Sequence, residues 1–170
     1  MSSKSLDVFV LLKLLGGKRK PYAQLAKEIG ISASEIHAAV RRGIAAGLIG
    51  SESKLPLRKP LEEYLLHGVR YAFPAIPGPL ARGMPTAYAA PPLADQINFA
   101  DLPPVWPDPD GTVKGYAVEP LYRSVPVAAK LDAKLYELLA LVDALRLGRA
   151  RERKLAETEL RNRLNHAISD

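Results

Sequence analysis

The sequence predicts a mainly α-helical chain in which a proline-rich extended strap joins two helical ends, and three observations lead there. Residues 21–48 read as two helices joined by a tight turn, with start signals at Pro21 and Ser32. Apolar residues recur at 4-3-4-3 spacing through Leu131, Leu135, Leu138, Val142 and Leu145, the pattern of a helix that packs along its length. Between these ends, residues 71–126 hold 12 of the 15 prolines, which rules out a long helix there. The expected division is a helical module over 1–70, a docked strap over 71–126 and a pair of C-terminal helices over 127–168.

The first helix begins near Ser2–Ser5, carries an apolar stripe of Leu6, Phe9, Val10 and Leu14, and stops at Gly16-Gly17, where glycine can turn left-handed without a Cβ clash. A surface cluster, Lys18-Arg19-Lys20, follows. Pro21 opens a short second helix whose buried face is Tyr22, Leu25, Ala26 and Ile29, and Gly30 makes the turn. Ser32 with Glu35 three residues on forms a capping box for the third helix. At 100° per residue Ile36, Val40, Ile44 and Gly47 fall on one side and Ser34, Ala38, Arg41 and Ala45 on the other, with His37 and Arg42 flanking. That outer face is small, polar and cationic. It reads either as an ordinary solvated surface or as one that approaches a DNA groove, and the two preceding helices favour the second. Ile49 to Lys59 then gives two short apolar pieces around a polar tip, a small hairpin in which Pro56 restricts the second strand to an edge, with Lys54, Arg58 and Lys59 in reach of phosphate.

LAKEIGIS, the Ser32/Glu35 start and AAGLI before a basic hairpin make residues 5–58 resemble the winged helix-turn-helix of bacterial transcriptional regulators of the MarR-like type. The resemblance implies that the helix over 33–46 enters the major groove of double-stranded DNA and that the hairpin touches backbone or minor groove. Ser34, His37, Ala38, Arg41, Arg42, Lys54, Arg58 and Lys59 are the implied DNA contacts. Gly43 interrupts the reading helix at a cost of about 1 kcal/mol relative to Ala, and the hairpin is short. Both favour binding as a homodimer. HGVRYAFPA, RGMPTAYAAPPL and LYELLALVDALRLGRARER are also similar to stretches of bacterial winged-helix proteins, some of which resemble antitoxin-like partners of nucleotidyltransferase-type toxins.

Leu61, Tyr64, Leu65, Gly68 and Val69 predict a fourth helix closing the N-terminal module against the first; His67 within it has no second ligand at metal spacing. The strap that follows is not a passive linker, because it holds 7 of the 11 aromatic residues. Ordering it requires burial of Ile76, Leu80, Leu93, Ile97, Val105, Val113, Val118 and Leu121 as well. Arg82 to Thr86 reads as a surface turn, Asp108-Pro109-Asp110-Gly111 as an Asx-type turn without a third metal ligand, and Thr112 to Tyr122 as one or two short strands.

Leu135, Leu138, Val142 and Leu145 are a candidate partner or dimer surface, with a monomer core as the equal alternative. Gly148 ends or kinks this helix. Arg149, Arg151 and Arg153 concentrate unpaired charge before Glu157–Arg161 and Glu159–Arg163, which pair at i,i+4. These three arginines belong to the same candidate partner surface, as a contact to phosphate or an acidic partner, with a solvated helix start as the alternative.

Net charge by stretch is +7 over 1–59, −4 over 60–145 and +3 over 146–170, so a polyanion meets the two ends first. The absence of cysteine excludes disulfides and suits a cytoplasmic protein. No window approaches the roughly 20 apolar residues of a membrane span. No nucleophile elbow, phosphate-cradling glycine loop or paired histidine ligands point to an enzyme, and no cofactor or metal is expected.

Overall fold

The protein is described by a computed structural model covering residues 2–16 and 18–167. Helices dominate it, with one small three-stranded sheet. Gly17, the second glycine of the expected stop, and residue 168, the end of the expected third segment, lie outside the described residues.

Helix α1 (Ser5–Leu14) is the axis of the fold. It was expected to bury one stripe, yet Leu6 and every residue from Val8 to Leu12 are buried, because α3 packs on it from one side and α7 from another. A helix apolar all round is stable only when enclosed in this way. Helix α2 (Tyr22–Ile29) ends at Gly30, whose φ of 67° supplies the left-handed turn. Helix α3 (Ala33–Ala45) follows, capped as its sequence requires. Gly47 does not join its buried side; it lies past the helix end at φ 75° and is exposed. Ile49 and Pro56 pair antiparallel, and Gly50 N–H to Leu55 O (3.0 Å) and Leu57 N–H to Leu48 O (2.8 Å) complete a minimal hairpin.

Helix α4 (Arg58–His67) is separated by Gly68 from the single turn α5 (Val69–Ala72). The expected main packing of this helix on α1 is replaced by packing on the C-terminal α8 (Ala150–Ala167), tied by Arg161 to Glu62 at 3.0 Å.

The strap contains three strands where one or two were expected: β1 (Leu80–Pro85), β2 (Pro104–Pro107) and β3 (Val113–Ala117). Strand β1 pairs antiparallel with both others, and β2 and β3 pair parallel, so the three close on one another and leave no free edge. Arg82 to Thr86, expected to be a surface turn, is therefore strand as far as Pro85, and Thr86 beyond it is buried. The closure depends on glycine. A Cβ on Gly83 would stand 1.9 Å from the Trp106 carbonyl oxygen, and one on Gly115 2.0 Å from that of Pro103. Asp108–Gly111 forms the expected turn, with the Asp108 Oδ1 accepting from Asp110 N–H at 3.0 Å. Leu93, Ile97, Val105, Val118 and Leu121 are buried as expected, but Ile76 (79% exposed) and Leu80 (57%) are not.

Helices α6 (Val125–Leu131), α7 (Ala133–Leu147) and α8 complete the chain, and Gly148 ends α7. The leucine pattern is a seam of the monomer. Leu135, Val142 and Leu145 are buried within this chain, Leu138 is half-buried, and Leu131 is 74% exposed. Leu135, Val142 and Leu145 are thus unavailable as the expected partner surface, because α1, α5, α6 and α8 already cover that side of α7, whereas Leu138 stays partly open.

One buried polar cluster holds the strap to α7. The Asp143 carboxylate accepts from Thr86 Oγ1 and Trp106 Nε1, both at 2.7 Å, and pairs with Arg146 at 2.7 Å; Arg146 Nε in turn donates to the Phe73 carbonyl at 2.8 Å. A buried charge pair of this kind is tolerated only when its remaining lone pairs and protons are satisfied, and here four elements satisfy them. One continuous apolar core runs from Leu6 to Leu164 through all three stretches of the chain.

Candidate nucleic-acid interface

The outer face of α3 is set by its first turn. Ser32 Oγ accepts from Glu35 N–H at 3.2 Å, and the Glu35 carboxylate accepts from Ser32 N–H at 3.1 Å, which holds that carboxyl below its usual pKa. With the start fixed, Ile36, Ala39, Val40 and Gly43 turn inward and Ser34, His37, Arg41 and Ala45 face solvent. Gly43 has a packing reason. A Cβ there would lie 2.6 Å from Ile49 Cδ1, so the missing side chain lets the hairpin rest against the helix.

Three elements converge beside this face. The loop between α1 and α2, the middle of α3 and the hairpin tip enclose an open groove of about 750 Å³, lined by Arg19, Lys20, Tyr22, His37, Arg41 and Lys54 among others. The rings of Tyr22 and His37 meet edge to face with centroids 4.4 Å apart. Lys54 holds a left-handed φ of 59° at the hairpin turn. Arg19 and Arg41 are exposed, while Lys20 is shared with Glu28 at 3.0 Å.

The sequence-predicted contacts divide accordingly. His37, Arg41 and Lys54 come together on the groove, Ser34 is exposed on the same helix, and Ala38 is half-buried. Arg42 is not on an outer flank. Its Nε and Nη2 grip the Asp7 carboxylate at 2.8 and 2.6 Å, and that hydrogen bonding raises the Arg42 pKa. Arg58 is drawn toward α8, donating to Asn165 Oδ1 at 2.9 Å and to Glu62 at 3.4 Å. Lys59 is exposed on α4. The residues that sequence reasoning left out of the site are Arg19, Lys20 and Tyr22. The loop cations were visible as a surface cluster, but nothing local brings them beside α3.

Behind the groove, Lys13 bridges Glu28 of α2 and Asp132 at the start of α7, each at 2.9 Å. Hydrogen bonds from Lys13 first and Lys20 second hold the Glu28 carboxyl down at about 2. This network fixes the angle of α2, and with it the groove wall.

At the far end of the chain, Arg149 is exposed 3.7 Å from Glu152, Arg151 is exposed, and Arg153 is half-buried with an Nε that has no hydrogen-bond partner among the described residues. Arg163 is held by Glu137 and Glu159, whereas Arg161 pairs with Glu62 in place of the expected Glu157. Among the described residues no group of three His, Cys, Asp or Glu is placed to hold a metal ion, and no helix is long and apolar enough to cross a membrane. No family model, curated protein or solved structure matches the chain.

Proposed function

We propose that the protein is a DNA-binding transcriptional regulator of winged helix-turn-helix type, in which α3 enters the major groove and the 48–57 hairpin serves as the wing. The convergence of Arg19, His37, Arg41 and Lys54 from three elements onto one groove carries this reading. The stretch that contributes them has a charge balance of +7, which favours a polyanion. Arg41 is the side chain best placed to read a base edge, since it is exposed at mid-helix between small neighbours. Arg19 and Lys54 supply phosphate contacts, which position the duplex without specifying sequence. A homodimer would double these contacts, through a surface other than the α7 seam. Footprinting on genomic fragments tests the proposal: protection of a discrete site, lost in Arg41→Ala, is the expected result, and no protection at low salt overturns it.

A second reading, an antitoxin-like protein that restrains a protein partner, is favoured by the exposed apolar residues Tyr71, Ile76 and Leu80 before and at the start of β1 and by the exposed Arg149 and Arg151. Co-purification of a protein partner without nucleic acid, abolished by the double variant Arg151→Glu and Arg153→Glu, is its expected signature. Purification from the native host as a chain without a protein partner rejects it.

A further inference from the structure

A second concavity, on another side of α1, has a different character. It has a volume of about 650 Å³ and opens where the end of α1, the body of α2, the start of α7 and the end of α8 meet. That is within the range of about 300–1,000 Å³ over which proteins enclose small organic ligands. Its apolar part comes from Leu15, Leu25, Leu135 and Leu138, the first three of them buried parts of the core.

The charge around it is one-sided. Five Lys and Arg line it (Lys13, Lys18, Lys20, Lys134 and Arg163) against two carboxylates, those of Asp132 and Glu137. Pairing sorts the cations. Lys13 is bound to Glu28 and Asp132, Lys20 to Glu28, and Arg163 to Glu137 and Glu159. Lys18 and Lys134 are exposed and, among the described residues, no carboxylate pairs with either. His166 adds a polar edge. Its Nδ1 lies 2.6 Å from the Asn162 carbonyl, which can only accept, so Nδ1 carries the proton and Nε2 is left for another partner. A neutral apolar ligand would leave the two lysines uncompensated, and a simple inorganic anion would leave the leucines unused.

We propose that this cavity binds an amphipathic organic anion, with an aliphatic or aromatic body over the leucines and a single anionic group between Lys18 and Lys134. The site adjoins the DNA-reading groove, with Lys20 lining both, but its existence does not depend on that function. Lysine suits the task because an ammonium acts as a point charge and demands no bidentate geometry, unlike a guanidinium.

Isothermal titration calorimetry of the full chain with sodium octanoate tests the assignment, with octylamine and 1-octanol as the charge-reversed and neutral analogues. One octanoate per chain is expected, with octylamine giving no saturable heat and octanol binding at least tenfold more weakly. Lys134→Gln and Lys18→Gln, surface changes that leave the fold intact by circular dichroism, should each weaken octanoate about tenfold, the loss of one charge-assisted contact. Leu138→Trp, which fills the cavity from its half-buried side, should abolish the saturable heat. The proposal is overturned by equal binding of octylamine, by lysine variants with unchanged affinity, or by the absence of saturable heat from folded wild-type protein at millimolar octanoate.

Discussion

Arg42 and Asp7, 35 residues apart, form a two-pronged ion pair in which the arginine of α3 reaches back to the first turn of α1. The side chains are 14% and 6% exposed, so the pair is largely withdrawn from solvent. Asp7 also accepts from the Lys4 N–H at 2.9 Å, so one carboxylate caps α1 and anchors α3. Its neighbour Arg41 is exposed. Two adjacent arginines therefore sit in opposite settings, one tied into the fold and one facing solvent.

The separation is measurable. Arg42→Ala leaves the Asp7 charge buried without its partner and should lower unfolding free energy by about 3 kcal/mol in urea titrations. Arg41→Ala should change stability by less than about 0.5 kcal/mol while weakening DNA binding by about 1–3 kcal/mol. A large loss of stability at Arg41, or none at Arg42, contradicts the assignment.

Gly43 sets two effects of opposite sign against each other. Helix propensity alone makes Gly43→Ala stabilising by about 1 kcal/mol. The new Cβ, however, would stand 2.6 Å from Ile49 Cδ1 and 2.9 Å from its Cγ1, and overpacking of this kind costs about 1–3 kcal/mol. Net destabilisation is expected from chemical denaturation. Adding Ile49→Val, which removes Cδ1, should recover part of the loss; a Gly43→Ala variant more stable than wild type would refute the contact.

The buried Asp143 cluster is expected to be the main lock of the strap. Asp143→Ala strands Arg146 and should cost about 3–5 kcal/mol. Thr86→Val nearly keeps the side-chain shape and removes the Oγ1 hydrogen bond to Asp143, so about 1–2 kcal/mol is expected. Equal losses for the two would show that the charge pair adds nothing beyond one hydrogen bond to the hold on the strap.

Acid stability should carry the mark of Glu28. Its carboxyl is depressed from 4.5 to about 2 by Lys13 and then Lys20. A depressed carboxyl contributes stability that is complete above its unfolded pKa and is lost as pH falls through its folded one, so the window runs from about 4.5 down to about 2. Asp132 adds in the same direction: burial, the largest single influence, opposes its ionisation, but the hydrogen bond from Lys13, those from the Leu135 and Lys134 backbone and the Lys13 charge together outweigh it and the pKa falls. Thermal unfolding across that window should show a shallower loss of Tm in Glu28→Gln than in wild type; parallel curves would remove Glu28 from the acid response.

The α1–α3 module was legible because its signals are local. Pro21, Gly30 and the Ser32/Glu35 box each fix a helix boundary within a few residues, and the boundaries fall there. The strap was legible only as something docked. Strand β2 is Pro-Val-Trp-Pro and β1 contains Gly83 and ends at Pro85, compositions that argue against strands locally and become strands only when the three close on one another. The same distance in sequence hid the role of Arg42, since nothing near it announces Asp7. The leucines of α7 were recognisable as apolar, but spacing alone does not say whether the covering surface is another chain or, as found for Leu135, Val142 and Leu145, this one.

The proposed DNA interface is tested most directly by fluorescence anisotropy with a labelled duplex titrated against salt. About two phosphate contacts per protomer, from Arg19 and Lys54, should give a log–log slope of affinity on salt near −1.8, and losing Lys54 should make it shallower by about 0.9. Affinity that does not change with salt, or no binding at low salt by folded protein, would contradict it.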